Sequence, residues 1–341
     1  MTDLRNLITD VAGLRVGNTH DAALASGVTA VLFDEAVVAS YAVNGGAPGT
    51  RETDLLEPDK AVAGVNAIVL SGGSAFGLDA AGGVQAFLRE KGIGFAVGSA
   101  LVPLVPQAIT FDLLNGGNKD WGRFPPYREL GYEAARAADL DFSLGTAGGG
   151  YGATTVDLKG GLGSASAVTE AGHTVGALVI VNALASTLIG DGPHFWAGAY
   201  EEDREFGGLG FPSRITPEMR RLDWKGRVRQ TPPPLSTTIA LVATDALLTK
   251  AQAKRLAVVS HDGLAKGLRF AHALFDGDTV FSAATGRRPL RDEAADFIEI
   301  GAVASDCLAR AIARSIYEAT ALPFTGALPA WKDRFGGLVG D

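Results

Sequence analysis

Glycine is the feature that most limits what this chain can fold into. It occupies 45 of the 341 positions, whereas an ordinary protein uses about 7% glycine. The glycines follow no collagen-like period, and they separate short apolar segments. Glycine reaches backbone conformations that are closed to other residues, and it leaves no side chain between packed segments. This spacing therefore predicts tight turns and close packing of many short elements, and not disorder.

The composition limits which partners the protein can bind and which cellular compartment it suits. The chain is 47% hydrophobic and carries a formal net charge of −8, which argues against nucleic acid or an anionic membrane as partner, because both need a basic face. The single cysteine, Cys307, excludes an internal disulfide and fits a reducing compartment. No signal peptide is visible, and no apolar run reaches the ~20 residues that span a bilayer. We therefore expect a soluble cytoplasmic protein.

The secondary-structure pattern is mixed. Helical patterns run from Ser74 to Lys91, from Thr249 to Arg269 and from Asp292 to Ala319, with Ser74 and Thr249 as expected caps. Apolar, β-branched runs between them predict strands. The segment from Asp191 to Pro234 is polar and rich in Arg and Pro, so we expect a long exposed excursion there.

A row of hydroxyl residues stands at the entrance of one predicted strand. Ser236, Thr237 and Thr238 precede the apolar run Ile239–Val242 and follow Pro232–Pro234, which holds the chain extended. A hydroxyl needs a base to become a nucleophile. If the preceding peptide bond is cut, the residue's own α-amine, with a pKa near ~8, can serve. The alternative from these residues alone is an ordinary β-branched strand entrance.

Two further polar residues lie at strand ends or turns. Asn182 ends the apolar run Val175–Val181, where its side-chain amide could donate to a developing oxyanion; a turn-forming asparagine is an equal alternative. Lys159 lies in a glycine-rich turn between strands. From the residues alone, a solvated surface lysine is the favoured interpretation of Lys159.

Two carboxylates, Asp276 and Asp278, lie two positions apart after the predicted helix. In a strand this spacing directs both side chains to one face of the sheet. In a turn it brings the two carboxylates together on a bent backbone. The pair provides only two carboxylate ligands for a metal ion, and the sequence offers no further His or Asp cluster to complete the site. We therefore expect neither a metal nor a cofactor. An ordinary Asp-Gly turn is the alternative.

The chain resembles the P1 peptidases, the group of DmpA-type aminopeptidases, β-peptidyl aminopeptidases and nylon-oligomer hydrolases. Five segments carry the resemblance in the family's order: Gly-Ala-Pro-Gly-Thr-Arg-Glu-Thr-Asp-Leu-Leu (46–56), Leu-Ser-Gly-Gly-Ser-Ala-Phe-Gly-Leu (70–78), Val-Pro-Leu-Val-Pro (102–106) with Phe-Asp (111–112), Gly-Ala-Leu-Val-Ile-Val-Asn (176–182) and Ser-Thr-Thr-Ile (236–239). Members of this family cut their own precursor before a Ser or Thr, which becomes the N-terminal nucleophile. By position, that residue is Thr237.

The resemblance implies the fold and the assembly. The fold class is α/β (α+β), a four-layer αββα sandwich like that of the DmpA-type peptidases and the ornithine acetyltransferases. It also implies that residues 1–341 form one domain, cut into an α chain of residues 1–236 and a β chain of residues 237–341. The cleaved precursors are expected to form a homo-oligomer, often a tetramer.

The resemblance also implies roles for the candidate residues. Asn182 would be the oxyanion-hole residue and Lys159 an assisting lysine. Asp276 and Asp278 would orient the ammonium group of a substrate or polarise the hydroxyl. The expected activity is hydrolysis of a small peptide or amide, either by removal of N-terminal residues or by cleavage of ω-amino-acid oligomers.

The sequence is also compatible with two other functions. An acyltransferase of the ornithine-acetyltransferase type uses a similar self-cleaved threonine. An uncleaved, non-catalytic protein could instead bind a small anionic ligand with its glycine-rich turns. Ser236 supports the second alternative, because the family usually has Gly or Asn before the cut.

Overall fold

The computed structural model describes residues 4–229 and 236–339, so the predicted extended run Pro232–Pro234 lies outside the described residues. The strands are β1 (Leu14–Asp21), β2 (Ser26–Val43), β3 (Thr50–Arg51), β4 (Val65–Ser71), β5 (Phe95–Val97), β6 (Ala100–Val102), β7 (Gln107–Ile109), β8 (Gly161–Val168), β9 (Thr174–Asn182), β10 (Thr237–Ala246) and β11 (Thr279–Arg288). The helices are α1 (Ser74–Gly77), α2 (Ala80–Glu90), α3 (Tyr127–Arg136), α4 (Lys225–Arg229), α5 (Lys250–Gly267), α6 (Glu293–Tyr317) and α7 (Trp331–Phe335).

Two sheets share the long strand β2. Its first half pairs with β1 on one side and with β4 on the other, and β7 and β3 extend that sheet beyond β4. Its second half pairs with β11, and the second sheet continues through β10, β9 and β8. β10 and β11 run parallel, whereas β9 is antiparallel to β10 and β8 is antiparallel to β9.

The alternation of side chains along the strands produces four layers. Leu241 of β10 and Ile68 of β4 are buried in a core between the two sheets. Their neighbours point the other way: Val242 packs in the core beneath α5 and α6, and Val69 packs in the core beneath α2 and α3. Since successive strand residues face opposite sides of a sheet, the layer order is helix, sheet, sheet, helix. The predicted αββα sandwich is confirmed.

The helix starts confirm one predicted cap and contradict the other. Thr249 caps α5, since its hydroxyl accepts a hydrogen bond from the Gln252 amide at 3.2 Å. The predicted cap at Ser74 is wrong: α1 begins after Gly73, whose φ is +87°, and Ser74 itself has a φ of +53° and makes no capping bond. The helical pattern is also divided between α1 and α2. The glycine turn is close to Asp112, because a Cβ on Gly72 would lie 2.1 Å from the Asp112 Oδ2.

The expectation of a long exposed excursion from Asp191 to Pro234 holds for most of its described residues, but not for two aromatic side chains. Phe195 and Phe206 are buried in the core beneath α6, and the Phe195 ring stacks on Trp331 with centroids 5.8 Å apart. The polar composition of the segment conceals these aromatic anchors. Among the helices of residues 4–229 and 236–339, none is both long and apolar enough to cross a bilayer.

Candidate active site

The strand order gathers the candidate residues at one edge of the second sheet. Thr237, at the start of β10, pairs with Asn182 at the end of β9, and Ser236 forms a parallel bridge with Asp276 just before β11. Lys159 precedes β8, whose first residue lies opposite Val181 of β9. All the candidates are buried, with at most 3% of any of them exposed: Lys159, Asn182, Ser236, Thr237, Asp276 and Asp278.

The peptide bond between Ser236 and Thr237 lies at the centre of this edge. The Thr237 hydroxyl donates to the Ser236 carbonyl oxygen at 2.6 Å, and the Gly277 amide donates to the same oxygen at 2.9 Å. The Ser236 amide donates to the carbonyl of Phe275 at 3.1 Å. A Cβ on Gly277 would lie 2.9 Å from the Thr237 Oγ1. Only glycine at 277 therefore allows the backbone to approach the hydroxyl this closely.

The side-chain amide of Asn182 is held on both sides. Its Oδ1 accepts from the Thr154 amide at 3.0 Å and from the Lys225 Nζ at 3.2 Å, and its Nδ2 donates to the Phe111 carbonyl at 2.9 Å. An amide nitrogen carries two protons. One is committed to Phe111, and the other can donate to an oxyanion.

Asp278 is held by three nitrogen contacts. Its Oδ1 accepts from the Thr238 amide at 2.9 Å, and its Oδ2 lies 2.7 Å from the backbone nitrogen and 2.9 Å from the Nδ1 of His272. Asp278 thus connects the start of β10 to the loop that precedes β11. This arrangement suits a carboxyl group with a structural role.

The carboxyl group of Asp276, unlike that of Asp278, is not surrounded by hydrogen-bond donors on both oxygens. Its Oδ1 is buried and has no hydrogen-bond partner among the described residues. Burial, reinforced by the neighbouring charge of Asp278, raises the pKa of Asp276 to about 8, although Lys225 acts against this shift. A pKa this high favours the protonated, neutral form of Asp276 at neutral pH.

Lys159 is buried, so its interpretation as a solvated turn lysine is wrong. Its ammonium donates to the carbonyls of Gly150 at 3.0 Å, Ala153 at 3.0 Å and Gly160 at 2.7 Å. Burial lowers the pKa of Lys159 to about 7, and the charge of Asp112 opposes this shift only in part. The glycine-rich loop of residues 145–152 folds over the side chain of Lys159. Sequence composition does not reveal such a closure. A lysine with this pKa can exchange a proton at neutral pH.

Sequence reasoning missed three residues of this site. Lys225 lies in the segment expected to be exposed, and no pattern distinguished it from the surface lysines. His272 lies in an irregular loop with a φ of +63°. Asp112 is buried and accepts from the Ser26 hydroxyl at 2.6 Å and the Gly73 amide at 2.8 Å. Its place next to Phe111, in a segment that resembles the family, was the one available signal.

A cleft of about 650 Å³ opens beside α4. Its wall includes Val228 of that helix and Asp157, which follows the segment that binds Asn182. Four carboxyl residues and two arginines line it: Asp157, Asp191, Glu218, Asp223, Arg221 and Arg269. Within the described ranges, no group of three or more His, Cys, Asp or Glu side chains is arranged to hold a metal ion.

Comparison with known proteins identifies the class. The solved structure of the L-aminopeptidase D-Ala-esterase/amidase from Ochrobactrum anthropi, a variant of the Ntn-hydrolase fold, matches with a TM-score of 0.67 at 20% identity over 97% of this chain and 94% of that one. The model of peptidase family S58 matches residues 6–327. A Mycobacterium tuberculosis protein named "uncharacterized aminopeptidase" is 41% identical over 353 aligned positions, which cover 98% of this chain and 99% of the relative.

A more distant relative is the 6-aminohexanoate-oligomer endohydrolase of Kocuria sp., which is 24% identical over 293 positions and is matched over 83% of this chain and 76% of the relative. The chain therefore has the fold of the Ntn hydrolases. It belongs to peptidase family S58 and is a hydrolase of peptide or amide bonds. The resemblance to the P1 peptidases is confirmed. The non-catalytic alternative is wrong, and the family favours hydrolysis over acyl transfer.

Proposed function

We propose that the chain cuts itself between Ser236 and Thr237, and that the freed Thr237 is the nucleophile of an aminopeptidase. One observation carries this proposal: the Thr237 hydroxyl and the Gly277 amide meet at the carbonyl oxygen of Ser236, at 2.6 and 2.9 Å. A nucleophile and an oxyanion donor are thus already in place on the bond to be cut.

This geometry supports the following steps for the cut. The Thr237 Oγ1 attacks the Ser236 carbonyl carbon, and the carbonyl oxygen becomes an oxyanion held by the Gly277 amide. Collapse breaks the C–N bond, and the hydroxyl proton ends on the new α-amine of Thr237. Water then hydrolyses the ester, which gives a carboxylate on Ser236 and restores the hydroxyl. The products are the chains 1–236 and 237–341.

The same groups then serve an added substrate. The α-amine of Thr237 takes the hydroxyl proton, because its ordinary pKa near ~8 leaves part of it neutral at physiological pH. The remaining Nδ2 proton of Asn182 donates to the substrate oxyanion. Lys159 lies beneath the site as a buried, proton-exchanging group that holds the glycine-rich loop closed.

The position of Ser236 supports a substrate with a free amino group. Ser236 occupies the acyl side of the bond to be cut, so the α-amine of a substrate residue in its place would lie where the Ser236 nitrogen lies. The Phe275 carbonyl is 3.1 Å from that nitrogen, and Asp276, the bridge partner of Ser236, has a buried, unpartnered oxygen among the described residues. An ammonium group there would ionise Asp276 and pair with it.

Self-association is a further part of the proposal. The hairpin of β5 and β6 exposes the apolar side chains of Phe95, Val97, Leu101 and Val102, each by 42–60%. Exposed apolar surface of this kind marks interaction sites, so we propose that copies of the chain pair through this hairpin. A double substitution, Val97→Lys with Leu101→Lys, is expected to give a smaller particle in light scattering. We place the enzyme in the cytoplasm, in line with its one buried, unbridged cysteine.

The test of the proposed activity compares two substrates. Leucine p-nitroanilide has a free amine, whereas its N-acetyl derivative lacks that charge and carries an added acetyl group. We expect the first to be hydrolysed at least about 100-fold more efficiently, since a buried, unpaired carboxyl disfavours a substrate without the ammonium. Thr237→Ala, the control, is expected to hydrolyse neither. Equal rates on the two substrates would contradict the aminopeptidase proposal and favour an endohydrolase.

A further inference from the structure

Lys225 lies inside the site, although it belongs to the segment that leads to the cut. It begins α4, its backbone amide donates to the Leu184 carbonyl at 3.1 Å, and its side chain is buried. Two of the contacts of its ammonium are with one residue: the carbonyl oxygen of Asn182 at 3.3 Å and the Oδ1 of the same residue at 3.2 Å.

These contacts decide which way the amide of Asn182 points. If the amide were flipped, its NH₂ group would face the Lys225 ammonium and the Thr154 amide, which are both donors, and its oxygen would face the carbonyl oxygen of Phe111. Every one of these contacts would then be unfavourable. The contact with the charged ammonium is the strongest of the three.

We propose that Lys225 is a positioning residue of the active site, whose ammonium fixes the side-chain amide of Asn182 with its free Nδ2 proton directed at the substrate oxyanion. This inference rests on the proposed role of Asn182 as the oxyanion donor. Lys225 acts through Asn182 and does not touch the substrate.

The position of Lys225 in the sequence determines which chain of the cleaved enzyme carries it. Lys225 lies on the N-terminal side of the cut, so it stays in the 1–236 chain. The 1–236 chain therefore still contributes a residue to the active site after the cut.

The first test removes the charge and keeps the length of the side chain. Lys225→Met is expected to lower kcat by about 10- to 100-fold, less than the 10²–10³ that follows loss of a whole oxyanion donor. KM is expected to change by less than about threefold, because the lost interaction belongs to the transition state. Arg227→Met, on the same helix but exposed, is the matched control and is expected to keep both constants. Lys225→Arg, which keeps the cation, is expected to recover part of the loss.

The decisive measurement is a double-mutant cycle with Asn182→Ala. If Lys225 acts through Asn182, then Lys225→Met changes the residual kcat of the Asn182→Ala enzyme by less than about twofold. An equal loss in both backgrounds would overturn the proposal, as would a wild-type kcat in Lys225→Met. If Lys225→Met fails to fold, as judged by its thermal transition, Lys225→Arg takes its place in the same cycle.

The cut itself separates this proposal from the proposed function. Gly277, and not Asn182, holds the carbonyl of Ser236, so Lys225→Met is expected to complete its cut on long incubation. A folded Lys225→Met that stays uncut would contradict the positioning role, while a wild-type enzyme that cuts itself would leave the nucleophile scheme intact. An uncut, inactive wild-type protein would contradict both.

Discussion

Asp276 and Asp278 lie two positions apart before the same strand, yet their surroundings differ completely. Asp278 accepts from the Thr238 and His272 amides at 2.9 and 2.7 Å. Asp276 is equally buried, keeps one oxygen without a partner among the described residues, and has a pKa raised to about 8. The difference assigns two roles to two identical side chains. We expect Asp278 to be a structural anchor, and we expect Asp276, whose raised pKa favours its protonated form, to pair with a cation.

The glycine between these carboxyls gives the largest expected effect. In Gly277→Ala, the added Cβ would lie 2.9 Å from the Thr237 Oγ1 and 2.9 Å from the Ala47 carbonyl oxygen. The Gly277 amide would be pushed away from the Ser236 carbonyl, so we expect self-cleavage to slow by at least about 1,000-fold, the range for loss of an oxyanion donor with added displacement. The rate is measured by gel densitometry of freshly purified protein. Gly337→Ala, where a Cβ meets no atom within 4 Å, is the control and is expected to be cut at the wild-type rate.

The variant Asp278→Asn tests whether the Asp278 carboxyl group stabilises the structure around the cut. One end of the new amide is an NH₂ group that must face the nitrogen donors of either Thr238 or His272. An unmet buried donor costs about 1–3 kcal/mol, so we expect a lower free energy of unfolding and self-cleavage slowed by about 100-fold. Urea unfolding measures the free energy of unfolding, and a Thr237→Ala background keeps the chain uncut during this measurement. Wild-type stability and cleavage in this variant would show that Asp278 is not the anchor.

Asp276→Asn tests the neutral partner and is expected to have a smaller effect. A neutral Asp276 and an asparagine have the same charge and nearly the same shape, so the cut should slow by less than about threefold. In contrast, KM for leucine p-nitroanilide should rise by about 10-fold or more, because an amide cannot ionise to meet the substrate ammonium. Steady-state kinetics on the cleaved variant provide the measurement. An uncut Asp276→Asn protein with full stability would reverse the two assignments.

The last prediction concerns the pH dependence of stability, which leaves the catalytic constants aside. Since the pKa of Asp276 is raised from 3.8 to about 8, the folded chain keeps this proton between about pH 4 and pH 8, where the unfolded chain has lost it. Asp276 therefore lowers stability as pH rises through that window, by at most about 1.4 kcal/mol per pH unit. Lys159, with its lowered pKa, acts in the opposite sense above about pH 7.

The measurement compares Thr237→Ala with Thr237→Ala/Asp276→Asn by urea unfolding at pH 5, 6, 7 and 8. The contribution of Lys159 is common to both proteins and cancels. The double variant is expected to gain stability relative to the single variant as pH rises. A difference that does not change with pH would mean that Asp276 is ionised throughout.

Much of the fold could be predicted from the sequence, because it rests on local patterns. The apolar runs that form β4 and β9 and the capped start of α5 at Thr249 are visible as periodicity and composition. Ser74 failed as a cap because its backbone takes a left-handed conformation next to Gly73, and no local pattern reports that geometry. The four-layer arrangement came from the family resemblance.

The site could be predicted only in part. Thr237, Asn182, Asp276 and Asp278 were named from the resemblance, and the strand register brings them together. Their environments were not predictable, because burial and hydrogen-bond partners come from distant segments. The glycine-rich loop that closes over Lys159 is one example, and the helix α4 that brings Lys225 to Asn182 is another. The division of roles between Asp276 and Asp278 likewise depends on His272, which no motif connects to them.

The central claim is that this chain cuts itself before Thr237, and the most direct test is the intact mass of the purified protein under denaturing conditions. We predict two fragments for the wild type, of 236 residues and of 341 − 236 = 105 residues, with Thr237 at the new N-terminus. Thr237→Ala is predicted to give one unbroken chain. A wild-type chain that stays whole for days while it hydrolyses leucine p-nitroanilide would contradict the account, because the nucleophile would then have to lie elsewhere.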